Sequence, residues 1–330
     1  MTTPIIIQTH NLTKFYGKNR GIENLNLEVR KGEIFGFLGP NGAGKTTTIR
    51  LLLNLIHATS GEATILGHNI QTESELIREQ VAYLPGELGM VKDWTASRML
   101  SYLFKLYDRP VNWEKVADLA RVFNLDLRKK TRELSRGNKQ KIGIITVLVP
   151  DVKLLILDEP TSGLDPLVNK EFYRLLTEKQ AASGCTVFLS SHQLEEVEKI
   201  AHRVGIIRQG ALVEVAAVTQ LKQLALKHVE LSFTSPSDAK AFVGKLPKKL
   251  VKNIAVDGSN ARFLAKREEL ALLLPQLTNV SFRDINIRDS TLEGIFLEYY
   301  GAEADERQAN TERKTKTPLR REKQKGKWSK

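Results

Sequence analysis

Residues Gly39–Thr46 read GPNGAGKT, which fits the spacing G-x-x-x-x-G-K-[ST], and they directly follow the apolar run IFGFL at Ile34–Leu38. The pattern suits the cradling of a row of phosphates. A loop whose successive N–H groups face an anion needs backbone angles and a closeness of approach that Gly42 and Gly44 allow. A helix starting near Gly44 adds the positive end of its dipole. Lys45 supplies a point charge for the β- and γ-phosphates, and Thr46 a hydroxyl for Mg2+. Gly39, Pro40, Asn41, Ala43 and Thr47 complete this candidate phosphate-binding segment.

A second group carries the complementary chemistry. LLILDEP at Leu154–Pro160 places Asp158 and Glu159 at the end of an apolar run. A carboxylate there is costly unless a cation faces it, and Mg2+ held by Thr46 is such a cation. Glu159 then stands one residue further, placed to polarise a water for in-line attack on a γ-phosphate. An isolated LDEP would read as a turn acid after a core strand; its pairing with the phosphate loop favours catalysis. SGLD follows at Ser162–Asp165, and SSH at Ser190–His192 follows the run TVFLS. His192 gains weight because adjacent strands of one sheet deliver it and Glu159 to the edge where open α/β sheets bind ligands. The other five histidines have no such context.

These residues must be positioned by an α/β domain. Short β-branched runs alternate with helical patterns from the N-terminus to about residue 215. Strands are predicted at Ile34–Leu38, Val81–Leu84, Leu154–Leu157 and Thr186–Ser190. Helices are predicted at Lys45–Leu55, Thr95–Leu106, Trp113–Phe123, Lys139–Leu148, Leu167–Gln180 and Gln193–Ala201. Between about residues 88 and 150 the strand signals vanish, which predicts a helical insertion. Beyond Gln220, strands at His228–Phe233, Ile254–Val256, Arg262–Ala265 and Val280–Arg288 alternate with helices near Ser237–Lys245 and Glu268–Pro275. That texture predicts a small α+β domain closed by an apolar-striped helix, Thr291–Tyr300.

The chain has 330 residues, long enough for two domains. Its single cysteine, Cys185, excludes an internal disulfide and every Cys-based zinc motif. No apolar run reaches the roughly 18 residues of a membrane span, and the N-terminus lacks a secretory pattern. The expectation is a soluble protein of a reducing compartment. The net charge of +12 is uneven: Arg313–Lys330 holds nine Lys/Arg and one acid, Glu322, so this tail carries +8 and the remainder only +4. The tail has too little apolar surface to offset ordering and reads as disordered. Three roles stand open for it: a solvated appendage, attraction to anionic lipid headgroups, and, ranked last, nucleic-acid binding.

With these motifs in hand, residues 4–215 resemble the ATP-binding cassette (ABC) family. ELSRGNKQK at Glu133–Lys141 is similar to that family's signature segment, and the order of phosphate loop, signature, LLILDE, SGLD and SSH is the family order. The resemblance implies a P-loop NTPase fold with an antiparallel β subdomain and a helical insertion. It also implies ATP and Mg2+ as ligands, and hydrolysis to ADP and phosphate with Glu159 and His192 as the catalytic pair. Tyr16, in LTKFYG, matches the aromatic that stacks on adenine, although a surface tyrosine would look the same. Two cassettes pair head to tail in the family, so Ser135, Arg136, Gly137 and Asn138 would reach ATP bound by a partner, with Asp165 at the dimer interface. One cassette per chain then implies a homodimer, or a heterodimer with a similar cassette. The resemblance divides the chain into a nucleotide-binding domain at 4–220 with its helical subdomain at about 88–150, an accessory domain at 225–302, and a basic tail at 303–330.

Two departures from the family pattern stand out. Its commonest signature is LSGGQ, and here Arg136 and Asn138 replace a Gly and the Gln. The family's magnesium-ligating Gln after the Val81–Leu84 strand is also missing: YLPGELGM puts Gly86 at that place and Glu87 next, and whether Glu87 substitutes is open. The variant signature, YLPGEL and STLEGIFLEYYG are similar to the cassettes of bacterial type-2 exporters, including drug and antibiotic-resistance systems. In that subclass the membrane subunit is a separate polypeptide, which implies a cytoplasmic protein peripheral on the inner face of the cell membrane. The competing reading is a soluble cassette acting on ribosomes or nucleic acid, though such relatives usually carry two cassettes or a long coiled coil. A third, a regulator without hydrolysis, is disfavoured by Glu159 and His192.

Overall fold

The computed structural model describes residues 3–106, 111–224, 226–277 and 280–289. They fall into two compact units that part between Leu221 and Lys222. The closing helix expected at Thr291–Tyr300 and the basic tail lie outside the described residues.

The first unit opens with β1 (Ile5–Tyr16), β2 (Asn19–Arg30) and β3 (Ile34–Leu38), followed by α1 (Lys45–Leu52). Next come β4 (Ser60–Ile65), β5 (His68–Asn69), α2 (Ser74–Arg78) and β6 (Val81–Leu84). Three helices follow, α3 (Ala96–Lys105), α4 (Trp113–Val122) and α5 (Arg136–Leu148), with no strand among the described residues between β6 and β7 (Leu154–Asp158). The unit is completed by α6 (Pro166–Ser183), β8 (Thr186–Ser191), α7 (Leu194–Val197), β9 (Arg203–Arg208) and β10 (Ala211–Ala217), with α8 (Val218–Leu224) at its end.

Two sheets form. The larger runs β10-β9-β3-β8-β7-β6, parallel except where β10 joins β9. Strands β3, β7 and β8 are buried along their whole length, as strands covered on both faces must be, and so read as unbroken apolar runs. The smaller sheet, β2-β1-β4-β5, is antiparallel, and β2 alternates buried and exposed residues because only one of its faces meets the core. A single apolar cluster joins Leu12, Leu25 and Val29 of that sheet to Ile49 and Leu52 of α1 and to Phe35, Phe37 and Phe188 of the larger one. It fixes α1, and with it the phosphate loop, against both sheets.

Several predicted elements have different ends. Helix α1 stops at Leu52, not Leu55, because Asn54 turns into the left-handed region at φ +52°. Helix α5 begins three residues earlier than predicted, where the Ser135 hydroxyl accepts the Asn138 N–H at 3.3 Å. The helix predicted at Gln193–Ala201 keeps its regular part only to Val197. Its bonds tighten to i→i+3 at Lys199 and Ile200, and His202 joins β3 by donating its N–H to the Ile34 carbonyl at 2.9 Å.

The second unit follows the order β11 (Lys227–Ser232), α9 (Pro236–Lys245), β12 (Lys252–Asp257), β13 (Asn260–Ala265), α10 (Arg267–Leu277), β14 (Asp284–Asp289). Its antiparallel sheet, β12-β13-β11-β14, is a split βαβ arrangement. Val229, Leu231, Ala261 and Phe263 cluster with Phe242 of α9 and Leu270 and Leu273 of α10. On β11, Glu230 pairs with Arg262 at 2.8 Å and Arg288 at 3.2 Å, which holds its carboxyl below the usual range.

Candidate active site

Parallel pairing of β3, β7 and β8 brings three loops to one edge of the larger sheet: residues 39–44 after β3, Glu159 at the end of β7, and His192 at the end of β8. Gly42 and Gly44 sit at φ +80° and +111°, backbone conformations open to glycine. Gly44 has a second constraint, since a Cβ there would lie 2.7 Å from Ile22 and 2.9 Å from the Gly21 carbonyl. Together they turn the chain into α1 with its N-terminal N–H groups free for an anion.

Lys45 is buried, and its ammonium donates to the carbonyls of Gly39 at 2.6 Å and Pro40 at 3.2 Å. The same ammonium stands 3.1 Å from Oε1 of Glu159, whose Oε2 lies 2.7 Å from Nδ1 of the more exposed His192. Thr46 donates its hydroxyl to Oδ2 of the buried Asp158 at 2.8 Å. Five residues predicted from scattered motifs thus meet at one sheet edge in two groups, Lys45–Glu159–His192 and Thr46–Asp158. Asp158 also acts on its neighbour Tyr83: burial, reinforced by this carboxylate, pushes the phenol up to about 12 and keeps it neutral.

The donor set around Thr46 and Asp158 fits a magnesium ion. Both ligand atoms are hard oxygens, and among the described residues no group of three or more His, Cys, Asp or Glu side chains forms an all-protein metal cage. Magnesium prefers such sparse sites, completing its shell with water and phosphate oxygens. Gly86 passes close by, since a Cβ on it would lie 3.8 Å from Asp158 Oδ2, so a longer side chain at this position would reach the metal site. Glycine offers no donor there. The neighbouring Glu87 is exposed.

Tyr16 is 47% exposed, and its ring edge and the Thr47 methyl both border Gly21, so an aromatic face lies beside the start of α1. The signature residues take a different position. Ser135 and Arg136 are exposed, and their segment is tied to the loop after β7: Arg136 donates to the Ser162 hydroxyl at 3.1 Å and Gln140 to the Pro160 carbonyl at 2.9 Å. Asp165 caps α6, accepting the Val168 N–H at 3.0 Å, and Leu167 beside it is 80% exposed.

Glu159 has a positive φ of +48°, a left-handed conformation uncommon for a residue with a side chain. The Glu159 N–H is held by the Ser190 carbonyl at 3.2 Å and the Ser190 hydroxyl at 3.1 Å. Ser190 belonged to the recognised SSH motif, but its part in this turn depends on strand register, which no local pattern reveals.

Comparison with known proteins agrees with this geometry. Residues 22–162 match the family model described as ABC transporter. The chain is 38% identical over 239 residues to the bacitracin transport ATP-binding protein BcrA of Bacillus licheniformis, covering 71% of this chain and 77% of that one. It is 32% identical over 297 residues to the ABC transporter ATP-binding protein YcbN of Bacillus subtilis, covering 88% of this chain and 96% of the relative. Among solved structures, an ATP-binding subunit of an ABC transporter superposes with a TM-score of 0.60 at 26% identity, over 66% of this chain and 92% of the other. The phosphate loop, the acidic strand end and these likenesses agree: the chain belongs to the ABC transporter family as an ATP-binding subunit that hydrolyses ATP.

Proposed function

We propose that this chain is the motor of a bacterial exporter, working through a separate transmembrane subunit from the cytoplasmic face of the membrane. The observation that carries the catalytic part is the bonded series Thr46–Asp158 and Lys45–Glu159–His192 at one edge of the parallel sheet. Glu159 is engaged at both oxygens, Oε1 by the Lys45 ammonium and Oε2 by His192. ATP phosphates compete for Lys45, and as the ammonium turns to them Oε1 of Glu159 is released to accept a proton from the attacking water. His192 remains hydrogen-bonded to Oε2 and orients the carboxylate. Thr46 and Asp158 would hold Mg2+, which when bound would supply positive charge against that developing on the phosphates. Gly39–Thr47 bind the phosphates, and Tyr16 stacks on adenine.

The functional unit in this reading is a head-to-tail dimer. Ser135, Arg136, Gly137 and Asn138, of which Ser135 and Arg136 are exposed, serve the partner's nucleotide. The exposed Leu167 next to Asp165 supports this, since a dimer would cover it. We assign residues 4–220 to the nucleotide-binding domain, with the helical subdomain at about 88–150, and residues 225–302 to an accessory domain. Among the described residues no helix is long and apolar enough to cross a membrane, which agrees with a separate membrane subunit. The relative named for bacitracin transport supports an amphipathic, antibiotic-like cargo.

Native purification from membranes tests the reading. The chain should co-purify with a polytopic membrane protein and release phosphate from ATP. A chain that purifies without a membrane subunit and whose ATPase responds to ribosomes would favour the soluble alternative. We assign the basic residues Arg313–Lys330 to the anionic membrane surface, with each contributing about 1 kcal/mol near it. Deleting them should weaken binding to phosphatidylglycerol-containing vesicles, and the difference should shrink at high salt. Unchanged vesicle binding would leave the tail a solvated appendage.

A further inference from the structure

Ser190 lies directly opposite Asp158 in the register of β8 on β7, and it is fully shielded from solvent. Its hydroxyl donates to Asp158 Oδ1 at 2.6 Å and accepts the Glu159 backbone N–H at 3.1 Å. One buried hydroxyl therefore touches both acids of the site, one through its side chain and the other through its backbone. The two bonds use it in opposite senses, its single proton going to Asp158 and a lone pair to Glu159, so neither competes with the other.

The consequences for the two acids differ. The oxygens of Asp158 are divided, Oδ1 to Ser190 and Oδ2 to the Thr46 hydroxyl. Without Ser190 the carboxylate gains rotational freedom and a buried oxygen without a donor. For Glu159 the hydroxyl adds a second acceptor to the N–H of a residue held at φ +48°. That turn sets the direction from which the side chain reaches Lys45 and His192. A serine that merely satisfied itself inside a strand would need only one acceptor, and a carboxylate would not be required.

We propose that Ser190 is a positioning residue for ATP hydrolysis, aligning the Asp158 carboxylate toward Thr46 and holding the Glu159 backbone in its left-handed turn. This rests on the roles assigned above to Asp158 and Glu159.

The test is Ser190→Ala in the full chain, with hydrolysis kinetics measured beside equilibrium binding of a fluorescent ADP analogue, with and without Mg2+. Misalignment on the scale of an ångström predicts a fall in kcat of about 10–100-fold. The KM for ATP should stay within about threefold, since phosphate-loop contacts are untouched. The tightening of ADP binding by Mg2+ should shrink severalfold, while binding without the metal stays the same. Thr186→Val supplies the comparison for loss of a buried hydroxyl alone. Thr186 lies at the other end of β8, and its hydroxyl accepts the Gly32 N–H at 2.9 Å. This variant should lower the Tm yet keep kcat and the Mg2+ effect. A Ser190→Ala enzyme with kcat within twofold of the parent, or a Thr186→Val enzyme that loses as much, overturns the proposal. Glu159→Gln measured in parallel separates the two levels: if it too hydrolyses normally, the assignment of the base fails first.

Discussion

Glu159→Gln should cut ATP turnover by about 10²–10⁴-fold while nucleotide binding survives. The substitution keeps the size of the side chain and a hydrogen-bonding oxygen, so the contact with His192 at 2.7 Å has a near replacement. What it removes is a charged acceptor for the proton of the attacking water. It also removes the counter-ion of Lys45, 3.1 Å away, so the ammonium has no carboxylate to leave when phosphates arrive. Binding should therefore hold or strengthen as hydrolysis falls. Isothermal titration with ATP, beside a phosphate-release assay, checks both halves. If affinity dropped in step with turnover, Glu159 would be a structural support of the loop and not the base.

The parts of this site legible in the sequence are those whose chemistry is local. GPNGAGKT needs only its own backbone to make an anion cradle, and LLILD and TVFLSS are recognisable because buried parallel strands have no solvent face to interrupt them. The first 30 residues were less readable. They form two twelve-residue strands, but Asn11 and Asn24 take positive φ and the pairing of β1 and β2 shifts register repeatedly, which breaks the period-two alternation along β1, while β2 keeps it from Leu25 to Arg30. The sequence marks the bounds of no individual strand there, although the resemblance implies an antiparallel β subdomain and Leu12, Leu25 and Val29 help seat α1.

Register explains the other gaps. Nothing in the spacing of Asp158 and Ser190, 32 positions apart, indicates that they face each other, nor that one hydroxyl could serve two acids. The left-handed turn at Glu159 is equally silent, because the DEP segment carries no glycine to announce it. The loop departure was readable as a missing Gln but not in its consequence. Only the packing of Gly86 beside Asp158 shows that a longer side chain here would reach the Asp158 carboxylate.

Lys45→Ala should remove tight nucleotide binding, and hydrolysis with it. The ammonium is the one buried cation at the start of α1, already bent over its own loop by the Gly39 and Pro40 carbonyls. Even at the low end of roughly 1.5–3 kcal/mol per charge-assisted contact, losing two contacts to phosphate weakens binding by about 10²-fold or more. A second penalty comes from Glu159, whose carboxylate is only 19% exposed and would face incoming phosphates without its cation. The double variant Lys45→Ala with Glu159→Gln separates the two effects. Removing the unpaired negative charge should restore about 3–10-fold of the lost ADP affinity, or ~1 kcal/mol, as expected for like charges at close range in a water-like dielectric. Fluorescence titration of the single and double variants reads this directly. If the double variant bound ADP no better than Lys45→Ala, the ion pair between Lys45 and Glu159 would not be the state that nucleotide displaces, and release of the base by ATP would have to be abandoned.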